Sequence, residues 1–252
     1  MYKETDLISR TRDFATGILK NDLPESCKYH NYNHTQSVVN AYLEIGQATN
    51  LSDLEMEAGV IAAWCHDLGY AEGGKDHEEN SVAIMKEFLE KASASPELIA
   101  MASRIIMVTK MPQQPETLAE KAMCDADLHH LGTPEYKETS EGLRQETVMI
   151  TGQKIPKSVW NRNSFFFFNE HSYFTDYAEK KYGPTKAENT LELRKKVKEI
   201  NDLDKKLKKL EEQLGKTSKK LVLKPDRGIE TMFRTTSRNH LALSSIADNK
   251  AN

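Results

Sequence analysis

Four side chains of metal-binding type stand far apart in the sequence, at His34, at the adjacent pair His66-Asp67, and at Asp127. Together they offer imidazole nitrogens and carboxylate oxygens, with no thiolate among them. Such a set favours Mn, Fe, Ni, Co or Zn, and Mg where carboxylate and water predominate. Because two histidines leave coordination positions open for water and substrate, we expect a divalent ion that takes part in catalysis.

The apolar surroundings of the adjacent pair strengthen this expectation. The segment AGVIAAWCHDLGY places His66 and Asp67 at the end of a markedly apolar stretch. Burying either side chain without a partner costs several kcal/mol, and one bound cation would satisfy both. A single histidine judged alone is more often a hydrogen-bonded core residue, but the four residues together favour a metal site.

Hydrophobic periodicity predicts helices along the whole chain and therefore an all-α fold. Ser52 and Glu55 form a capping box before the most apolar helix, and Ser95 caps another that has Pro96 in its first turn. We expect a polar helix from Pro134 to about Gly152. A last helix is expected from Pro156 to about Tyr182, with Gly183 and Pro184 ending the domain.

A charged helix is expected after Pro184, opened by a capping box of Thr185 and Glu188. Residues 186–224 hold thirteen basic and seven acidic residues, a net charge of +6. Five apolar residues there follow the 3-4-3-4 spacing of a coiled-coil seam, namely Ile200, Leu203, Leu207, Leu210 and Leu214. Two interpretations stay open: a coiled coil that forms a homodimer, and a solvated helix that packs on its own domain.

Composition limits the classes of function. The net charge of −3 argues against a nucleic-acid partner. No apolar run approaches the roughly 20 residues that span a bilayer, and the N-terminus lacks the apolar stretch of a signal peptide. We therefore expect a cytoplasmic chain that meets a membrane only if the native protein continues past Asn252. Three widely spaced cysteines predict no disulfide.

Three segments in order, YHNYNHT, AAWCHDLGY and CDADLHHLG, resemble the HD superfamily of metal-dependent phosphohydrolases. The resemblance covers about residues 28–180 and extends to HSYFT at residues 171–175. It implies an HD-domain helical bundle that hydrolyses a phosphoester bond in a nucleotide or another phosphorylated small molecule. It also implies that His34, His66, Asp67 and Asp127 hold the metal. Asp125 is the rival to Asp127, which we prefer because it directly precedes Leu128 at a hydrophobic position of the motif.

Other residues are candidates for the reaction itself. His77 and Glu78, in KDHEENS, follow the His66-Asp67 pair and are placed to act as a general acid, a general base or ligands of a second metal. Asp67 would bridge to that second ion. Thr109 stands where related two-metal enzymes have a further histidine, which argues against a full cyclic-dinucleotide site. Candidates for phosphate contact are His30, Lys75 and Lys110. The aromatic run 165–168 is expected to pack in the core.

The final segment, PDRGIETMFRTTSRNHLALSSIADNKAN, resembles the start of the membrane module of Pycsar-type antiphage effectors. The expected organisation is a phosphohydrolase domain at 1–183, a basic helical linker at 184–224 and a truncated effector segment at 225–252. The alternative function is a cyclic-nucleotide sensing or binding module of a membrane-associated antiphage effector, with little turnover. A purely structural helical adaptor would leave the His66-Asp67 pair without a role.

Overall fold

The computed structural model describes residues 4–74 and 76–213. Within these ranges the chain forms helices and connecting loops and contains no strand, which confirms the all-α prediction. None of the helices in the described part is long and apolar enough to cross a membrane.

Nine α-helices and two short 3₁₀ helices make up the described part of the chain. The α-helices are α1 (Asp6–Asn21), α2 (Tyr32–Ala48), α3 (Asp53–Cys65), α4 (His77–Lys91), α5 (Pro96–Met107), α6 (Leu118–Asp127), α7 (Tyr136–Thr151), α8 (Lys157–Glu170) and α9 (Asp176–Gln213). The 3₁₀ helices are Leu68–Glu72, after α3, and His129–Gly132, after α6. The predicted caps are confirmed, since Ser52 and Glu55 form the capping box of α3 and Ser95 accepts from the backbone N–H of Leu98.

Helix α3 lies at the centre of the fold, packed against α1, α2 and α5. Every residue from Ala58 to Cys65 is buried, as its all-round apolar sequence predicts. Gly59 lets α3 approach α2 closely, because a Cβ at this position would lie 1.8 Å from Cζ of Tyr42. The His66-Asp67 pair follows directly after this helix and is therefore held deep in the core.

The predicted end of the last domain helix is wrong. The helix is interrupted earlier, by a loop at residues 171–175 between α8 and α9. Helix α9 then continues through Pro184 without ending. Proline removes one backbone hydrogen bond from a helix, but tertiary packing holds this one together. The side-chain amide of Asn189 donates to the carbonyl oxygens of Leu131 and Thr133, and Leu193 is buried. The predicted capping box at Thr185 is also wrong, because Thr185 lies inside α9.

Leucines in the second half of α9 are exposed. Leu193 is 4% exposed, but Leu203, Leu207 and Leu210 are more than half exposed. Arg162 of α8 still contacts Asn201 and Asp204 of α9, but the domain does not cover these three leucines, and the coiled coil stays a prediction. Leu214, Lys75 and the segment 225–252 lie outside the described residues, and the expected domain limit at residue 183 falls within α9.

The aromatic run at the end of α8 contributes to a small second core. Phe168 is 3% exposed and packs edge to face on Tyr136, in a cluster with Leu128, Leu131 and Leu193. Phe165 and Phe167 are partly buried against the same cluster, whereas Phe166 is exposed. The run therefore packs largely as a core element.

Candidate metal centre

Three helices bring His34, His66 and Asp127 to one point. His34 lies in the first turn of α2, His66 follows α3, and Asp127 is the last residue of α6. The Nε2 atoms of the two histidines lie 3.4 Å apart. Oδ1 of Asp127 lies 3.3 Å from Nε2 of His34 and 3.6 Å from Nε2 of His66. The three ligand atoms lie within 4.8 Å of one another, a separation that one metal ion can bridge.

Asp67 adds a carboxylate to this group. Its Oδ2 atom lies 3.1 Å from Nε2 of His66 and 3.4 Å from Nε2 of His34. The same oxygen is buried and has no hydrogen-bond partner among the described residues. Burying a carboxylate oxygen without a partner is costly, and a cation between the three groups would remove that cost. The donor set of two imidazoles and two carboxylates therefore fits a divalent transition metal.

Neighbouring groups orient the histidines for this role. Nδ1 of His66 lies 2.9 Å from the carbonyl oxygen of Ala63, which only accepts, so Nδ1 carries a proton and Nε2 is the nitrogen that faces the centre. The side chain of Asn31 caps α2 by accepting from the backbone N–H groups of Asn33 and His34. The first contact orients the His66 ring, and the second fixes the backbone of His34 at the start of α2.

The electrostatics of the group favour a cation. Burial alone would lower the pKa of His66, but the adjacent charges of Asp67 and Asp127 raise it well above its usual value. Burial alone would raise the pKa of Asp127, but its hydrogen bonds to His34 and His66 hold it well below the usual range. Burial alone would also raise the pKa of Asp67, but the charge of His66 holds it well below the usual range. Both carboxylates are therefore ionised at neutral pH and offer two negative charges to a metal.

Asp125, the rival to Asp127, points to a different part of the fold. It is fully buried and accepts from the backbone N–H groups of Phe174 and Thr175, at 2.7 and 2.8 Å, and from the Thr175 hydroxyl at 2.7 Å. Burial raises its pKa to about 6, against the opposing effect of these donors. Asp125 thus holds the loop before α9. This contact gives a structural role to Phe174 and Thr175 of the HSYFT segment. The structure places Asp127 beside His34 and His66, while metal binding by this group stays a prediction.

His77 and Glu78 lie beside the group at the start of α4. Nε2 of His77 is 3.9 Å from Oδ1 of Asp67, and its Nδ1 is 3.4 Å from Oε2 of Glu78. Gly69 permits this approach, because a Cβ there would lie 2.1 Å from the backbone oxygen of His77. Burial lowers the pKa of His77 to about 4 and raises the pKa of Glu78 to about 7. Glu78 therefore exchanges a proton readily near neutral pH.

The three candidates for phosphate contact differ in their placement. The His30 ring lies 5.8 Å from the His34 ring, centroid to centroid, and is stacked on Tyr70 at 4.3 Å. Burial alone would lower the pKa of His30, but the charge of Glu146 raises it to about 9. Lys110 forms a close ion pair with Glu79 near the start of α4. Lys75 lies outside the described residues.

Sequence reasoning missed three residues beside the centre. Tyr29 packs its ring on His34, with centroids 4.5 Å apart, and its hydroxyl lies 2.9 Å from Nδ1 of His130. Tyr70 stacks on His30, and Glu146 contacts the His30 side chain. Both tyrosines stand within the motifs quoted above. Glu146 carries no local signal, because it is one of several charged residues in a polar helix.

Comparisons with known proteins identify no relative. No family model and no curated protein matches the sequence, and no solved structure matches the fold. Functional inference for this chain therefore rests on the residues and the geometry of the centre.

Proposed function

We propose that this protein hydrolyses a phosphoester bond in a nucleotide-like substrate with the help of a divalent metal ion, as the resemblance to HD-superfamily phosphohydrolases implies. The observation that carries the proposal is the convergence of His34, His66 and Asp127 on one point, with the unpartnered oxygen of Asp67 beside them. A helical adaptor would have no use for four clustered ionisable groups, three of them buried and one half-buried, whose ligand atoms lie close together.

The chain's own residues suit the reaction. A divalent ion, when bound, supplies Lewis acidity that lowers the pKa of a water molecule and neutralises phosphoryl oxygens. His34, His66, Asp67 and Asp127 would hold that ion. His30 carries a positive charge at the edge of the centre and would contact a phosphoryl oxygen. Glu78, with a pKa near 7, would hold or release the proton that the reaction moves.

The test is an activity screen of the purified full chain. The protein is loaded separately with Mn, Fe, Ni, Co, Zn or Mg and incubated with nucleoside monophosphates, nucleoside triphosphates, cyclic nucleotides and alarmones. We expect turnover that a chelator abolishes and that falls at least 10³-fold in His66→Ala and Asp67→Ala. Asp13→Ala, which changes an exposed carboxylate on α1, serves as the matched control. Equal turnover in all four proteins would refute the proposal.

The same screen separates hydrolysis from cyclic-nucleotide sensing. A sensor binds its nucleotide saturably and leaves it intact, so equilibrium dialysis followed by chromatography of the recovered ligand distinguishes the two functions. The resemblance to a Pycsar-type effector rests on residues 225–252, outside the described part of the chain. Recovery of intact nucleotide from a metal-loaded complex would replace the hydrolase proposal with the sensor.

The exposed leucines of α9 support the expected homodimer. Leu203, Leu207 and Leu210 recur at the 4-3 spacing of a helix seam and are unburied in the single chain. Light scattering after gel filtration should give twice the 28.6 kDa chain mass, and a variant with all three changed to Gln should give one chain mass. Leu191→Gln, at an exposed leucine outside the seam, is the control. An unchanged mass in the triple variant would remove the seam from the interface.

A further inference from the structure

Glu146 forms a buried clamp on the loop that leads into α2. Its side chain is 2% exposed and lies in α7, more than a hundred residues from that loop in sequence. Oε2 accepts the backbone N–H groups of Tyr29, at 2.8 Å, and His30, at 3.0 Å. Oε1 forms a close contact with Nδ1 of His30. One carboxylate therefore fixes both the backbone and the ring of His30.

The clamp fixes the orientation of the His30 ring. Because Nδ1 is turned to Glu146, Nε2 lies on the opposite edge, 3.4 Å from the hydroxyl oxygen of Tyr70. The ring is stacked on Tyr70 with an interplanar angle of 14°, and the rings of His34 and His77 lie 5.8 and 6.3 Å away. The His30 side chain is 18% exposed, so part of the ring is open to solvent.

We propose that Glu146 is a positioning residue, which acts through His30 to hold the Nε2 atom that binds a phosphoryl oxygen of the substrate. The inference rests on the proposed phosphohydrolase function. An ionised carboxylate beside an imidazole fixes its orientation and favours the ring that carries protons on both nitrogens. Nδ1–H then donates to Glu146 and Nε2–H donates to the anion, a charge-assisted hydrogen bond of the kind that phosphate prefers.

A merely structural role for Glu146 makes a different prediction. Its two backbone contacts need one oxygen, which Gln also supplies, whereas the contact with Nδ1–H of His30 needs a second acceptor. Glu146→Gln therefore keeps the anchorage of residues 29 and 30 and sets an amide N–H group against the His30 ring. A structural residue would tolerate this change with little effect on ligand binding, whereas a positioning residue would not.

The experiment measures the binding of inorganic phosphate to the zinc-loaded full chain by NMR of ¹⁵N-labelled histidine side chains. We expect phosphate to shift the Nε2 resonance of His30 in the unaltered protein. In Glu146→Gln the Nδ1 proton signal should be lost and the affinity for phosphate should fall about tenfold. Glu138→Gln, at an exposed residue of α7, is the matched control. Zinc content and thermal unfolding report whether each variant keeps the metal and the fold.

A double-mutant cycle with His30→Gln completes the test. If Glu146 acts through His30, the double variant binds phosphate no more weakly than His30→Gln alone. Additive losses, normal binding by Glu146→Gln, or a His30 resonance that phosphate does not shift would each overturn the inference. Phosphate binding through His30 without turnover of any phosphoester would instead defeat the hydrolase proposal alone. Turnover that is unaffected by Glu146→Gln would defeat the inference alone.

Discussion

Asp125 and Asp127 stand two residues apart on α6, yet the structure assigns them opposite tasks. Asp125 accepts hydrogen bonds that hold the loop before α9, whereas Asp127 faces two imidazoles at the candidate metal centre. Isosteric substitution of each residue by Asn should therefore give opposite results. Asp125→Asn is expected to weaken folding and keep the metal, and Asp127→Asn is expected to keep the fold and lose the metal.

The size of the stability effect follows from the contacts. Asp125 accepts three hydrogen bonds, from Phe174 N, Thr175 N and Thr175 Oγ1, at 2.7–2.8 Å. A hydrogen bond to a charged group contributes about 1.5–3 kcal/mol, and the contributions of one network do not simply add. Asn keeps one accepting oxygen, so Asp125→Asn should lower the free energy of unfolding by about 2 kcal/mol and Asp125→Ala by about 3–5 kcal/mol.

The assay combines urea unfolding, followed by circular dichroism, with metal analysis of gel-filtered protein. At pH 7, without added metal, Asp127→Asn should still fold but with a free energy of unfolding lower by about 1–3 kcal/mol, because it removes the charged partner of the buried imidazoles of His34 and His66. Its metal content should fall to near zero. Metal-free Asp125→Asn together with fully loaded Asp127→Asn would refute the assignment.

Three further predictions test other parts of the structure. Divalent metal at 100 times its dissociation constant should stabilise the chain by about 2.7 kcal/mol, seen as a higher melting temperature, and should leave His66→Ala unchanged. In metal-free protein, burial raises the pKa of Glu78 to about 7, so the folded state binds more protons than the unfolded state between about pH 4.5 and 7. The free energy of unfolding of the unaltered protein relative to that of Glu78→Gln should therefore fall across that window as pH rises, by on the order of 2 kcal/mol, and urea titrations of the two proteins measure this difference. Leu193→Ala should lower the free energy of unfolding by about 2–4 kcal/mol and Leu191→Ala, outside the leucine seam, by less than about 0.5, since of these two only Leu193 is buried; equal effects would contradict the described course of α9.

The sequence predicted the helices well where local signals and burial agree. The capping box at Ser52 and Glu55, the cap at Ser95 and the fully buried course of α3 all appear as expected. The helix ends around Gly183 and Pro184 were predicted wrongly, because both residues usually end helices. There the interactions of Asn189 and Leu193 with distant segments outweigh the local preference.

The candidate centre, too, could be predicted from the sequence only in part. Residue types and the order of the motifs predicted His34, His66, Asp67 and Asp127 as one site. The fold places these four residues together. The contact of Glu146 with the centre could not be predicted from the sequence. It is a hydrogen bond to His30, 116 positions away, which no local pattern reveals. The choice between Asp125 and Asp127 likewise needed coordinates, since only the partners of each carboxylate separate them.

The central claim is that His34, His66, Asp67 and Asp127 hold one cation between them. The most direct test is anomalous X-ray diffraction from crystals grown with zinc, recorded on both sides of the zinc absorption edge. We predict one strong anomalous peak, about 2.0–2.2 Å from Nε2 of both histidines and from an oxygen of each aspartate. A fully occupied zinc peak elsewhere, with these four side chains bound only to one another or to water, would contradict the account.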